Sequence, residues 1–161
     1  MRIKIFCTVL LGLILSMQAF ADTNQPLKLV GGEMSSVQQY MEPGKWTVVM
    51  IWSNNCHICD LEAGKYSAFH TAHAHKDAKI IGLSLDGSDQ IAQKFVSRHD
   101  LNYPNLVGSQ HEVASFYLSE SGRAFRGTPS FMVYDTKGEL ITVQAGGIPP
   151  EIIEQFIAEN S

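Results

Sequence analysis

The segment Trp46 to Trp52, "WTVVMIW", contains seven residues, of which only Thr47 is polar. An apolar run of this length, rich in β-branched and aromatic side chains, reads as a central strand covered on both faces. The polar connection "SNN" follows, and then a helix is expected from about Cys56 to about His73. "AKIIGLSLD", Ala78 to Asp86, reads as a second buried strand. Behind a Ser88 or Asp89 cap, Ile91, Phe95 and Val96 stand at helical spacing. "YPNLVG" is a turn into a short strand, and "SQHEVASFYL" is a short helix. "SFMVYD" and "ELITVQA" read as two strands around the turn "TKG", which contains Gly138. "PPEIIEQFIAEN" opens with prolines suited to a first helical turn and continues as an amphipathic helix. Upstream, "LKLV" is a candidate short strand, Ser35 or Ser36 caps a brief helix through Tyr40, and "EPGK" is a turn.

Strands alternating with helices specify an α/β domain whose sheet carries helices on both faces. The turn between the last two strands is too tight for a crossover helix, so that pair is antiparallel and the sheet is mixed. The 161 residues, 45% hydrophobic and 17% charged, suit one compact domain with a substantial core.

The first 21 residues do not belong to this pattern. Arg2 and Lys4 precede an almost unbroken apolar run from Ile5 to Met17, and Ala19-Phe20-Ala21 follows. These are the parts of a cleaved secretory signal peptide, residues 1–21, with the mature domain at 22–161. The run is short for a membrane span of ~20 residues, and Cys7 lies inside it with nothing like a lipobox before it. Export changes the charge and the cysteine count. Two of the 12 basic residues leave and none of the 16 acidic ones, giving a formal charge of −6. That balance argues against nucleic acid or an anionic membrane surface as a partner. Cys56 and Cys59 become the only thiols of a protein in an oxidising compartment, the periplasm or its equivalent, where such a pair is a disulfide or a working dithiol.

With Cys56 at the head of the helix, free backbone N–H groups and the positive end of the helix dipole face its sulfur and favour thiolate, the nucleophilic form. Cys59 lies one turn on, within disulfide reach and expected to be the more buried. Cys56 then attacks a substrate disulfide and Cys59 resolves the mixed disulfide, or Cys56 is attacked by a substrate thiol. His57, between them, would stabilise the thiolate if protonated and move the couple toward the oxidising side.

The whole pattern, "WSNNCHIC" after a strand, "GTPSF" followed by strand, turn and strand, and the intervening "IIGLSLDGSDQIAQKFVSRHDLNYPNLVG", resembles the thioredoxin fold. More narrowly it resembles the exported TlpA/ResA-like thiol–disulfide oxidoreductases, whose middle segment inserts an extra strand and helix. The likeness runs from Gly44 to about Ala158. It implies a cis Thr128–Pro129 bond lying against the cysteines. It also implies that Thr128, Pro129 and the strand-ending Trp52 form the substrate-facing surface, with an extended substrate segment pairing against Thr128. It further implies that Glu62 sits near the buried cysteine and takes its proton, since a carboxylate held in an apolar pocket can act as a base near neutral pH. No cofactor is expected beyond the Cys56–Cys59 disulfide.

Some residues depart from that pattern. Asn55 precedes the first cysteine, Gly64 stands where a helix proline is common, and Met50 replaces the buried aspartate of thioredoxins proper. "LSESGRAFRG" is longer than the connection before Pro129 needs and reads as a solvated loop, with steering of an acidic partner by Arg123 and Arg126 as the alternative. His70, His73 and His75 are expected to be exposed at the helix end. His70 lies 14 residues beyond Cys56, ~21 Å along the axis, so one ion cannot join them. His99 and His111 stand alone and carry no expected role. The reading is an exported, monomeric oxidoreductase acting on cysteine-containing exported proteins. It leans to reductase, with a membrane-bound redox partner supplying electrons. The alternatives are a disulfide-donating oxidase and a thioredoxin-fold Cu(I) metallochaperone.

Overall fold

The computed structural model of the chain describes residues 27–161. The apolar N-terminal stretch, its Ala-x-Ala sequence and the "DTNQP" tail lie outside the described residues.

Seven strands form one mixed sheet: β1 Leu27–Leu29, β2 Met34–Ser35, β3 Trp46–Trp52, β4 Ala78–Ser84, β5 Asn105–Val107, β6 Ser130–Tyr134 and β7 Leu140–Ala145, in the order β2-β1-β5-β4-β3-β6-β7. β3 runs parallel to β4 over its whole length, from Trp46 opposite Ala78 to Trp52 opposite Ser84. β6 is antiparallel to both β3 and β7. The expected α/β architecture, with a mixed sheet and helices on both faces, is borne out.

All seven residues of β3 are buried, and they alternate between two cores. Val48, Met50 and Trp52 face the helices α1 His57–His73, α2 Asp89–Arg98 and α4 Pro150–Asn160, which contribute Cys59, Ala63, Tyr66, Phe95 and Ile153 among others. Val49 and Ile51 face the other way, toward α3 Gln110–Ser121 and its Val113 and Phe116. The strand's period of two, apolar at every position, therefore serves two layers at once. Two residues of β3 and α2 tie the first layer together: the Trp52 and Phe95 rings stack with centroids 4.2 Å apart.

Several expectations need correction. The inner stripe of α2 runs through Ala92 and Phe95, with Val96 packed beside them, because Ser88 caps the helix and sets its phase; Ile91 falls at the edge and is exposed. "LSES" is not loop: Leu118 to Ser121 form the last turn of α3, which stops at Gly122 in a left-handed conformation, φ 66°. The two-residue strand β2 was not foreseen, and the brief helix before Tyr40 is a 3-10 turn, Val37–Tyr40, with Ser36 at its N-cap making no side-chain cap bond. Nor are the histidines at the end of α1 all solvated. His70 is half-buried, with the Ile80 N–H donating to its Nδ1 at 3.5 Å, and His73 joins Asp77 and Glu154 at 2.8 and 3.2 Å. Burial holds the His70 imidazole below its ordinary pKa. His75 is exposed, as expected.

Phe95→Ala is expected to destabilise the fold by about 3–5 kcal/mol in urea unfolding, because it empties the stack beneath the active-site loop. A second expectation concerns acid. Glu42, in the turn before β3, bridges Lys45 at 2.7 Å and Lys79 of β4. The Lys45 and Lys79 hydrogen bonds lower its pKa from 4.5 to about 2. A depressed carboxylate gives stability that is complete above its unfolded pKa and is lost as pH falls through its folded one. Glu42→Gln should therefore flatten the loss of stability between pH 4.5 and about 2, measured by urea unfolding across that window.

Candidate active site

β3 ends at Trp52, and the chain turns through Ser53, Asn54 and Asn55 into α1. Asp86, just past β4, fixes this turn. Its carboxylate accepts the Asn54 N–H at 2.9 and 3.2 Å and the Ser84 hydroxyl at 2.8 Å. The parallel β3–β4 pair thus delivers both ends of the support at its carboxyl edge.

Cys56 is the N-cap of α1, in extended backbone geometry, and its Sγ accepts the Cys59 N–H at 3.1 Å. Cys56 and Cys59 are joined in a disulfide, with Cα atoms 5.1 Å apart. Cys59 is fully buried, whereas Cys56 is half-buried and His57 is exposed. An attacking thiol can therefore reach only the first sulfur. Ile58 and Leu61, 45% and 59% exposed, give the surrounding surface an apolar character.

Glu62 continues the buried stripe of α1 below Cys59. Its Oε1 accepts from Lys65 at 3.0 Å, and its Oε2 is buried with no hydrogen-bond partner among the described residues. The β7–α4 connection closes over it. A Cβ on Gly147 would stand 3.0 Å from Ile58 Cγ2 and 3.9 Å from Glu62 Cγ, so a side chain here would press on Ile58. Tyr66, one turn below Glu62, donates its hydroxyl to the Ile148 carbonyl at 2.8 Å and pins the same connection.

The Thr128–Pro129 peptide bond is cis. Thr128 Oγ1 lies 3.4 Å from Ser53 Oγ, which brings this loop alongside the turn that carries Cys56. The Pro129 carbonyl accepts from Gly146 N–H at 2.9 Å, whereas neither the amide nor the carbonyl of Thr128 has a partner among the described residues. Trp52 was expected at the substrate surface, but it is fully buried. Its ring stacks on Phe95 and its indole N–H donates to Asn105 at 3.2 Å, so it supports the turn from below.

Sequence reading also passed over the far side of α1. Asp60 accepts from Arg98 Nη2 at 2.9 Å and from His99 Nε2 at 2.8 Å, and Arg98 Nη1 reaches Asn54 Oδ1 at 3.4 Å. Asp60 is four residues beyond Cys56, a spacing that was legible, but its partners come from α2 and were not. Among the described residues, no group of three or more His, Cys, Asp or Glu side chains is placed to hold a metal ion. A cleft of about 860 Å³, lined by Lys45, His70, Lys79 and Asn102, lies at the opposite end of the sheet from the cysteines.

Residues 17–143 match the AhpC/TSA family. The chain belongs to this family. The thiol-disulfide oxidoreductase ResA of Halalkalibacterium halodurans is 22% identical over 125 residues, which are 78% of this chain and 68% of that protein. The alkyl hydroperoxide reductase C of Mycobacterium tuberculosis is 27% identical over 141 residues, 83% of this chain and 69% of its own. In fold, this AhpC/TSA chain is similar to a secreted M. tuberculosis disulfide oxidoreductase homologous to E. coli DsbE. That similarity has a TM-score of 0.67 at 19% identity, over 85% of this chain and 96% of the other. The kinship expected from the three sequence features is thus borne out, and this AhpC/TSA member is a thioredoxin-fold redox enzyme.

Proposed function

We propose that this protein is an exported thiol–disulfide oxidoreductase that reduces cystines in other exported proteins. One observation carries the reading. The reachable sulfur, Cys56, caps a helix and accepts a backbone N–H, while its bonded partner Cys59 is sealed beneath it. Export rests on the N-terminal sequence, residues 1–21, with cleavage before Asp22.

The exchange balances as follows. The Cys56 thiolate attacks one sulfur of a substrate disulfide, forms a mixed disulfide and expels the other sulfur as thiolate. Cys59 gives up its proton, and its sulfur then attacks the Cys56 sulfur. The Cys56–Cys59 bond forms and the second substrate thiolate departs. The substrate gains the two electrons that the protein loses, and its two departing thiolates take up one proton released from Cys59 and one from solvent. A membrane-bound dithiol partner would return the electrons by the reverse exchange.

The residues have separate parts in this scheme. The Cys59 N–H and the head of α1 stabilise the thiolate at Cys56. Glu62, with its free buried Oε2, takes the Cys59 proton. The unpaired amide and carbonyl of Thr128 offer an extended substrate segment a pairing edge, with Pro129 holding the ledge. An exposed apolar surface around Cys56, with Ile58 and Leu61 open to solvent, suits a macromolecular substrate better than a small one.

A peroxidase is the second reading, favoured by the likeness to alkyl hydroperoxide reductase C. Against it, the Arg98 guanidinium of α2 is committed to Asp60 and Asn54. Rapid oxidation of the reduced protein by micromolar hydrogen peroxide, outpacing a peptide disulfide, would favour it.

Cys59→Ser is expected to hold a mixed disulfide on Cys56 and capture exported partners, and Cys56→Ser in the same background should abolish capture. No captured protein, together with a Cys56 unreactive to alkylation near neutral pH, would falsify the proposal. Glu62→Gln should slow the resolving step about 100-fold while leaving attack by Cys56 unchanged, seen as a long-lived mixed disulfide in rapid-quench experiments.

A further inference from the structure

The end of helix α2 reaches the active-site helix through two side chains, Arg98 and its C-cap His99. Arg98 and His99, at its end, both bond the carboxylate of Asp60, and Arg98 also holds the Asn54 side chain. The same two residues lie against Phe95: the His99 ring centroid is 4.4 Å from it and the Arg98 guanidinium 5.2 Å over it. Phe95 in turn stacks on Trp52. The cluster is therefore built into the support of the Cys56 turn.

Asp60 is an anion in an awkward place. Its N–H bonds the Cys56 carbonyl at 3.1 Å, so the two side chains are i,i+4 neighbours on one helix face. In the first turn of α1 a carboxylate favours the helix, but it opposes a second negative charge at Cys56. The His99 and Arg98 hydrogen bonds hold the Asp60 carboxyl below the usual carboxylate range, so it stays charged whenever the enzyme works.

We infer that Arg98 and His99 act as positioning residues for the nucleophile: the Arg98 charge offsets Asp60 while His99 hydrogen-bonds its carboxylate, and together they allow the Cys56 thiolate to persist one helical turn away. This rests on the proposed thiol–disulfide exchange and assigns it a control supplied by the segment between β4 and β5. Other charged or titratable groups around this end of the sheet are His57 and Glu62 on α1, Asp86 after β4, and the Lys28–Asp89 pair. Beyond these are His111 and Glu112 at the start of α3, Arg123 and Arg126 before Thr128, and Glu151 on α4. Only the Asp60 cluster is hydrogen-bonded to the turn and to the first helical turn together.

The test measures the Cys56 thiolate by its absorbance near 240 nm across pH in the Cys59→Ser background, for Asp60→Asn, Arg98→Gln and Arg98→Lys. The redox equilibrium with glutathione is then measured with both cysteines present. Asp60→Asn should increase the thiolate fraction below its midpoint about threefold, and Arg98→Gln should decrease it about threefold, half a pKa unit each way. Arg98→Lys should stay near wild type, and 1 M salt should shrink both shifts. The dithiol–disulfide equilibrium should follow, Asp60→Asn becoming more oxidising and Arg98→Gln more reducing. A purely structural role would move both variants in one direction. Same-direction shifts, or none, with peptide-disulfide exchange intact overturn this inference alone. An unreactive Cys56 in the parent Cys59→Ser protein overturns it together with the proposed function.

Discussion

The active site depends on a single handover of backbone geometry, from the end of strand β3 to the N-cap of helix α1. A strand buried on both faces has little freedom to shift, because each residue is committed to one of two cores. The position of Trp52 is therefore set by packing. Asp86 then ties the next peptide N–H to the neighbouring strand. Two residues after Asn54, Cys56 caps the helix, with its sulfur filling a capping role that an oxygen usually fills. Reactivity here arises from where a rigid strand stops.

The chemistry of the pair follows from unequal burial. A helix places residues three apart on the same side, and the sheet covers one of the two sulfurs. The half-buried sulfur is open to other molecules and the buried one meets only its neighbour, so the two are unequal in access. Glu62 extends the same asymmetry inward. Its Oε2 lies buried without a hydrogen-bond partner among the described residues, which costs free energy where it lies.

Much of this was legible in the chain. The two long apolar runs gave β3 and β4 because hydrophobic patterning specifies buried strands strongly. Cys56 and Cys59 were legible because a motif at the head of a helix is local. The errors arose where a side chain's surroundings come from distant segments. Trp52 looked like a surface residue by position, but Phe95 and Asn105, 43 and 53 residues away, cover it. His99 looked solitary because its partner, Asp60, lies on another helix. Ile91 was misplaced by the phase of α2, which the cap at Ser88 sets and a single apolar residue cannot reveal.

The lower half of β4 shows how an inner strand is kept to itself. β5 pairs with β4 only from Gly82 onward, which leaves Ile80 beyond its reach. The Ile80 N–H points instead at the imidazole of His70. Burial keeps that ring uncharged at neutral pH, so its nitrogen remains a lone-pair stopper in the opening. A strand that would otherwise offer its backbone to another chain is plugged from within the molecule, without another strand to cover the gap.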